Sequence, residues 1–210
     1  MKKQVIIFDF DGTIADSFDF VTSYLLGQAN AAPLSLKERE KLFRGLSIRK
    51  MADKLGMPLL KKAWIFFHGR RTMTKHMAEI KPFPGMVDVI KELHAKGYRL
   101  FAVSSNRNEN IQIFLRNHGI ADFFSGTLGS ASVVGKTMAL RTLLWHREIS
   151  AVNCTYIGDE VGDIKAAKQL RIKTIAVTWG YNDIDALKAQ APDAIVKSPG
   201  ELLKIIAGLQ

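Results

Sequence analysis

Apolar residues recur along this chain at two spacings. Val5 to Phe8 is a short apolar run, the length of a buried strand, and it ends at Asp9. From about residue 16 to 80 the spacing is helical throughout. It predicts helices over "SFDFVTSYLLGQAN", "LSLKEREKLFRGLS" with Ser35 as N-cap, "SIRKMADKLGM" and, after Pro58, "LLKKAWIFFHGRRTMTKHMAEI". "KPFPG", Lys81 to Gly85, is a stiff break with two prolines. Beyond it strands and helices alternate. The strands are "YRLFAVSSN", "FFSGTLG", "AVNCTYIGD", "IKTIAVTWG" and "DAIV", each followed by an amphipathic helical stretch.

That alternation predicts an α/β fold with a parallel sheet covered by helices on both faces. The first strand belongs to the same sheet. Residues 1–15 and 81–210 therefore form an α/β core, and residues 16–80 an all-helical block inserted after its first strand.

In open parallel sheets, ligands bind at the carboxyl ends of the strands. The first strand there runs into Asp9-Phe10-Asp11-Gly12-Thr13. Two like charges about 4 Å apart repel by ~1 kcal/mol in water and ~4 kcal/mol at an effective dielectric near 20. Such a pair calls for a cation or for chemistry. Other strand ends bring Ser104, Ser105 and Asn106, the segment Gly129 to Lys136, and "GDEVGD", Gly158 to Asp163. Acids, hydroxyls, glycines and a lysine thus converge on one sheet edge. Each has a plainer role available: a turn at Asp11-Gly12, a helix N-cap in "GDEVGD", a strand-end hydroxyl at Ser104.

These segments resemble the motifs of the haloacid dehalogenase-like superfamily, in its phosphoglycolate phosphatase-like branch. "DFDGT" is similar to its first motif, Ser104 to the second, Lys136 to the third, and Asp159 and Asp163 to the acids of the fourth. The helical block is similar to the family's cap, so the resemblance spans essentially the whole chain. It implies a Rossmann-like core and a phosphatase acting on a small phosphorylated metabolite, a phosphoglycolate-like acid or a sugar phosphate. Asp9 would attack phosphorus and form an aspartyl phosphate. Asp11 would act as general acid and then base. Mg²⁺ would be held by the Asp9 carboxylate, the Asp11 carbonyl and Asp159, with Asp163 as an outer acid orienting Lys136 or a metal-bound water. Ser104 would hold phosphate oxygens, and Lys136 would offset the charge on Asp9. Gly12, Thr13, Ser105, Asn106 and, from the helical block, Arg44 would contact substrate. Many relatives have proline after the lysine; here Thr137 and Met138 follow it, so the loop carrying Lys136 is expected to be set differently.

Composition narrows the field. The chain has 210 residues, 47% hydrophobic and 24% charged, as an ordinary globular protein does. One cysteine, Cys154, excludes an intramolecular disulfide and a CxxC zinc site. The net charge of +10 suits anionic substrates, but no basic run or nucleic-acid motif accompanies it. The amino-terminal apolar run stops at Asp9, short of a signal peptide, and no stretch approaches the ~18 residues of a membrane span. A cytoplasmic location is the expectation.

Two rival readings remain on the same residues. A phosphosugar mutase would use the cap to hold a second phosphate, with Arg44, Ser47, Arg49 and Lys50 as candidates. "GSASVVGKT", Gly129 to Thr137, approaches the P-loop pattern GxxxxGK[ST] but has five residues between its glycines where the motif has four.

Overall fold

The computed structural model describes residues 4–131 and 135–208. Six parallel strands form the main sheet: β1 (Val5–Phe8), β4 (Arg99–Val103), β5 (Phe124–Leu128), β6 (Cys154–Gly158), β7 (Lys173–Val177) and β8 (Ala194–Val196). Their spatial order is β5-β4-β1-β6-β7-β8. Counted in chain order within this sheet, that is the doubly wound Rossmann arrangement, with its switch point between β1 and β6. β1 is paired on both sides, Ile7 facing Phe101 and Tyr156, and all four of its side chains are buried. This is why it reads as a continuous apolar run rather than an alternating one.

Four helices follow β1 and make up the helical block: α1 (Phe18–Gln28), α2 (Leu36–Phe43), α3 (Ile48–Lys54) and α4 (Leu59–His76). Ser35 caps α2 as expected, in a capping box with Glu38. The helices of the α/β portion are α5 (Met86–Ala95), α6 (Asn108–Asn117), α7 (Lys136–His146), α8 (Val161–Gln169), α9 (Ile184–Lys188) and α10 (Pro199–Gly208). The sequence pattern misses one feature. Ala15–Asp16 (β2) and Lys81–Pro82 (β3) pair antiparallel where the chain leaves for the helical block and returns.

One apolar cluster joins a sheet face to the helical block. It runs from Ile6, Phe8 and Phe10 through Phe18, Leu25, Phe43, Met51 and Met73 to Ile90 and Phe114. The opposite face packs Val5, Ile7, Val103 and Tyr156 on α7 and α8 through Leu140 and Ala167. Cys154 is buried in this second cluster, and burial pushes its thiol up to about 12. Among the described residues no helix is long and apolar enough to cross a membrane.

Candidate active site

β1 delivers Asp9 to the switch point, where its N–H donates to the Ile157 carbonyl at 2.8 Å. The chain then turns tightly. The N–H groups of Thr13, Ile14 and Ala15 all donate to the Phe10 carbonyl, and Gly12 sits at φ +80°. A Cβ on Gly12 would lie 2.3 Å from Asp159 Oδ2, so both the backbone angle and the close approach require glycine.

Lys136, the first residue of α7, projects into the acids. Its ammonium lies 3.1 Å from Asp9 Oδ2 and is ion-paired with Asp163. Burial works against that charge, but Asp163 and Asp9 outweigh it and hold the ammonium well above its ordinary pKa. The second oxygen of Asp163 accepts the Glu160 N–H at 2.9 Å. Asp159 is fully buried and accepts from the Thr13 hydroxyl and the Tyr181 N–H, each at 2.8 Å. Burial, then the neighbouring Asp163, push Asp9 and Asp159 well above the usual carboxylate range. The same two causes bring Glu160 to about 7.

Asp11 accepts a hydrogen bond from Asn106 Nδ2 at 2.9 Å. Burial raises its pKa, against the pull of the Ser17 hydroxyl, then of Asn106, and of the Arg70 and Lys136 charges. Asn106 is the hub of a buried network: its N–H donates to Ser104 Oγ at 3.0 Å, and its Oδ1 accepts from Asn110 Nδ2 at 2.8 Å. Asn110 in turn donates to the Arg70 carbonyl at 2.8 Å, tying Asp11 to α4 of the helical block.

The acids fit a divalent cation. One carboxylate oxygen from each of Asp9, Asp159 and Asp163 lies within 4.8 Å of the other two. Asp9 Oδ1 is buried and lacks a hydrogen-bond partner. Both oxygens of Asp163 and both oxygens of Asp159 already accept from protein donors, so Asp9 Oδ1 is the donor these contacts leave open, with Asp159 and Asp163 beside it. An all-oxygen donor set is what Mg²⁺ selects.

Asp9, Asp11, Ser104, Ser105, Asn106 and Lys136 all line one cavity, together with Glu160, Tyr181 and side chains of α1, α3 and α4. Three expected substrate contacts are turned elsewhere. Thr13 is fully buried with its hydroxyl on Asp159. The Gly12 N–H donates to the Ala15 carbonyl at 2.9 Å and is not offered to a phosphate. Arg44 donates to the Gly180 carbonyl at 2.9 Å and to Glu40, and lies over the Phe18 ring; its charge is satisfied away from the cavity. The arginines lining the cavity are Arg49 and Arg70. The Ser17 hydroxyl, just before α1, meets the Tyr181 hydroxyl at 3.0 Å. Of the P-loop-like segment, residues 132–134 lie outside the described residues, and its lysine is the one held by Asp9 and Asp163.

The sequence reading missed Tyr181, Glu160 and Arg70. The strand-end rule, applied to β7 as it was to the others, reaches Thr178 to Asn182 and would have found Tyr181.

The sequence profile of the haloacid dehalogenase-like hydrolases matches residues 6–177. The chain belongs to this family. It is 31% identical over 211 residues to a phosphoglycolate phosphatase of Synechococcus elongatus, covering 98% of each chain. A phosphoglycolate phosphatase of Vibrio vulnificus is 28% identical over 220 residues, covering 97% of this chain and 96% of the relative. Solved structures share the haloacid dehalogenase-like fold. A hydrolase of the family from Streptococcus pneumoniae superposes with a TM-score of 0.73 at 22% identity, over 97% of this chain and 98% of the other. A haloacid dehalogenase-like protein of unknown function from Agrobacterium tumefaciens gives 0.75 at 19% identity, over 99% of both chains.

Proposed function

We propose that this haloacid dehalogenase-like hydrolase is a Mg²⁺-dependent phosphatase that cleaves a small phosphorylated metabolite through an aspartyl phosphate on Asp9. The enzyme class is phosphoric monoester hydrolase, and the phosphoglycolate phosphatases among its relatives make a phosphoglycolate-like acid or a sugar phosphate the starting substrate class. The observation that carries the reading is the pair Asp9 and Asp11 on one cavity wall, with Lys136 3.1 Å from Asp9. Residues i and i+2 in extended chain share a side, so both carboxyls can face one phosphoryl group.

The roles follow from the surroundings. Asp9, buried beside Lys136 on the cavity wall, serves as the nucleophile. Burial keeps a proton on Asp11 more readily than on an exposed carboxyl, which suits a group that first gives a proton to the leaving oxygen and then takes one from water. Asn106 orients Asp11, while Ser104 and Ser105 face the phosphoryl oxygens. Lys136 offsets charge gathering on the transferring group. Mg²⁺, when bound, would neutralise phosphate charge and align it with Asp9.

The test is phosphate release by the purified protein from a panel of phosphate monoesters, with Mg²⁺ and with chelator. Release that depends on Mg²⁺ is expected. A protein that hydrolyses no monoester in the panel at any Mg²⁺ concentration contradicts the reading.

A further inference from the structure

The cavity above Asp9 and Asp11 has a volume of about 450 Å³, within the ~300–1,000 Å³ of pockets for drug-sized ligands. A phosphate bearing two carbons would leave most of it unfilled. Its upper wall is apolar: Phe20, Tyr24 and Leu25 from α1, and Ile65, Phe66 and Met73 from α4. Besides Lys136, three cations among the described residues reach the cavity: Arg49 from α3, Lys62, which is paired with Asp53, and Arg70, whose guanidinium carbon lies 3.6 Å from the Phe66 ring centroid. The apolar lining continues outward to Leu59, which is 72% exposed.

Gly69 makes this wall possible. It lies inside α4, where glycine costs roughly 1 kcal/mol against alanine. A Cβ there would come within 2.9 Å of the Tyr24 ring. The missing side chain lets that ring approach α4 closely beside the cavity.

We infer that the substrate is a phosphate monoester whose leaving alcohol carries an extended apolar group, seated between α1 and α4 against Tyr24 and Phe66. This rests on the phosphatase reading above and narrows its substrate class. A small acid such as phosphoglycolate would set its carboxylate toward Arg49 or Arg70 but would leave the hydrocarbon of α1 and α4 uncovered. An alkyl or aryl group would remove that hydrocarbon from water, worth about fourfold per methylene.

The experiment uses two matched series, straight-chain alkyl phosphates from methyl to octyl as substrates and alkylphosphonates of the same lengths as non-hydrolysable ligands. Alkyl leaving groups differ little in basicity, so rate differences report binding of the chain. With Mg²⁺ present, kcat/KM and phosphonate affinity are expected to climb about fourfold per added methylene until the cavity is filled. Tyr24→Ser and Phe66→Ser, two partly exposed positions on different helices, should each flatten that climb. Flat or falling series, with phosphoglycolate cleaved faster than any alkyl ester, would overturn the inference while leaving the phosphatase reading standing. A climb in phosphonate affinity without hydrolysis of any ester would support the apolar site and overturn the phosphatase reading.

Discussion

Replacing Asp159 by Asn should make the metal-free protein more stable near neutral pH and less responsive to Mg²⁺. Asp9, Asp11, Asp159, Glu160 and Asp163 crowd around Lys136 and Arg70, and three of the acids approach within 4.8 Å. At that separation each ionised pair costs up to ~4 kcal/mol at an effective dielectric near 20. Partial protonation relieves some of this, since burial and Asp163 already hold Asp159 well above the usual carboxylate range. Against the relief stands one hydrogen bond. Asn can still accept from Thr13, but its NH₂ would face the Tyr181 N–H, a loss of roughly 1–3 kcal/mol. The net expectation for Asp159→Asn without metal is about 1–2 kcal/mol of added stability at pH 8. The sign depends on pH. A carboxyl whose folded pKa is raised contributes stability that is complete below its unfolded pKa and is lost as pH rises through the folded one. Wild type should therefore weaken from pH 5 to pH 8 in chelator, while the variant weakens less and is the less stable of the two at pH 5. Mg²⁺ at a hundred times its Kd should restore ~2.7 kcal/mol to wild type and far less to the variant. Urea unfolding across this pH range, with chelator and with Mg²⁺, measures all of it. A variant weaker than wild type by one constant margin at every pH, with the Mg²⁺ effect intact, would refute the reasoning.

Lys136→Met should lower turnover at least a hundredfold and cost ~3–5 kcal/mol of stability, because it strands Asp163 and Asp9 beside each other without their shared cation; steady-state kinetics and urea melts check both. Thr13→Val keeps the shape of a buried side chain but removes the hydroxyl on Asp159, so Mg²⁺ affinity should fall ~10–100-fold with the fold retained, as read by a Mg²⁺ titration of activity. Asp11→Asn should slow cleavage of an alkyl phosphate by ~10²–10⁴ and cleavage of a nitrophenyl phosphate much less in the first step, since a good leaving group needs little protonation; equal losses on both in single-turnover kinetics would count against the proton-transfer role.

The elements were legible because burial patterns here are clean. β1 is flanked on both sides and reads as four apolar residues in a row, and α5 and α6 present one apolar stripe each. Four strand ends carry the acids, the hydroxyls and the lysine, and the strand pattern alone points to them. What escaped was side-chain direction. Of the cap cations, Arg44, which the sequence pointed to, is drawn off by the Gly180 carbonyl and Glu40, while Arg70, which it did not, lies on the cavity wall. Thr13 resembles a phosphate contact in any linear reading, yet the turn onto Phe10 aims its hydroxyl at Asp159, 146 residues further along. The β2–β3 pair was invisible because two residues, one of them proline, carry no periodicity. Tyr181 depends on the path of the segment after β7, which its N–H bond to Asp159 fixes only once the sheet has formed.

The central claim, covalent phosphoryl transfer to Asp9, is tested most directly by acid-quenching the protein during turnover with Mg²⁺ and a monoester and locating the phosphate by peptide mass spectrometry. Wild type should carry a transient adduct on the peptide containing Asp9. Asp11→Asn should accumulate it, because the second step loses its base, and Asp9→Asn should carry none and turn over orders of magnitude more slowly. Turnover at the wild-type rate by Asp9→Asn, with deamidation back to Asp excluded, or an adduct on any other residue that forms and decays at the rate of turnover, would contradict it.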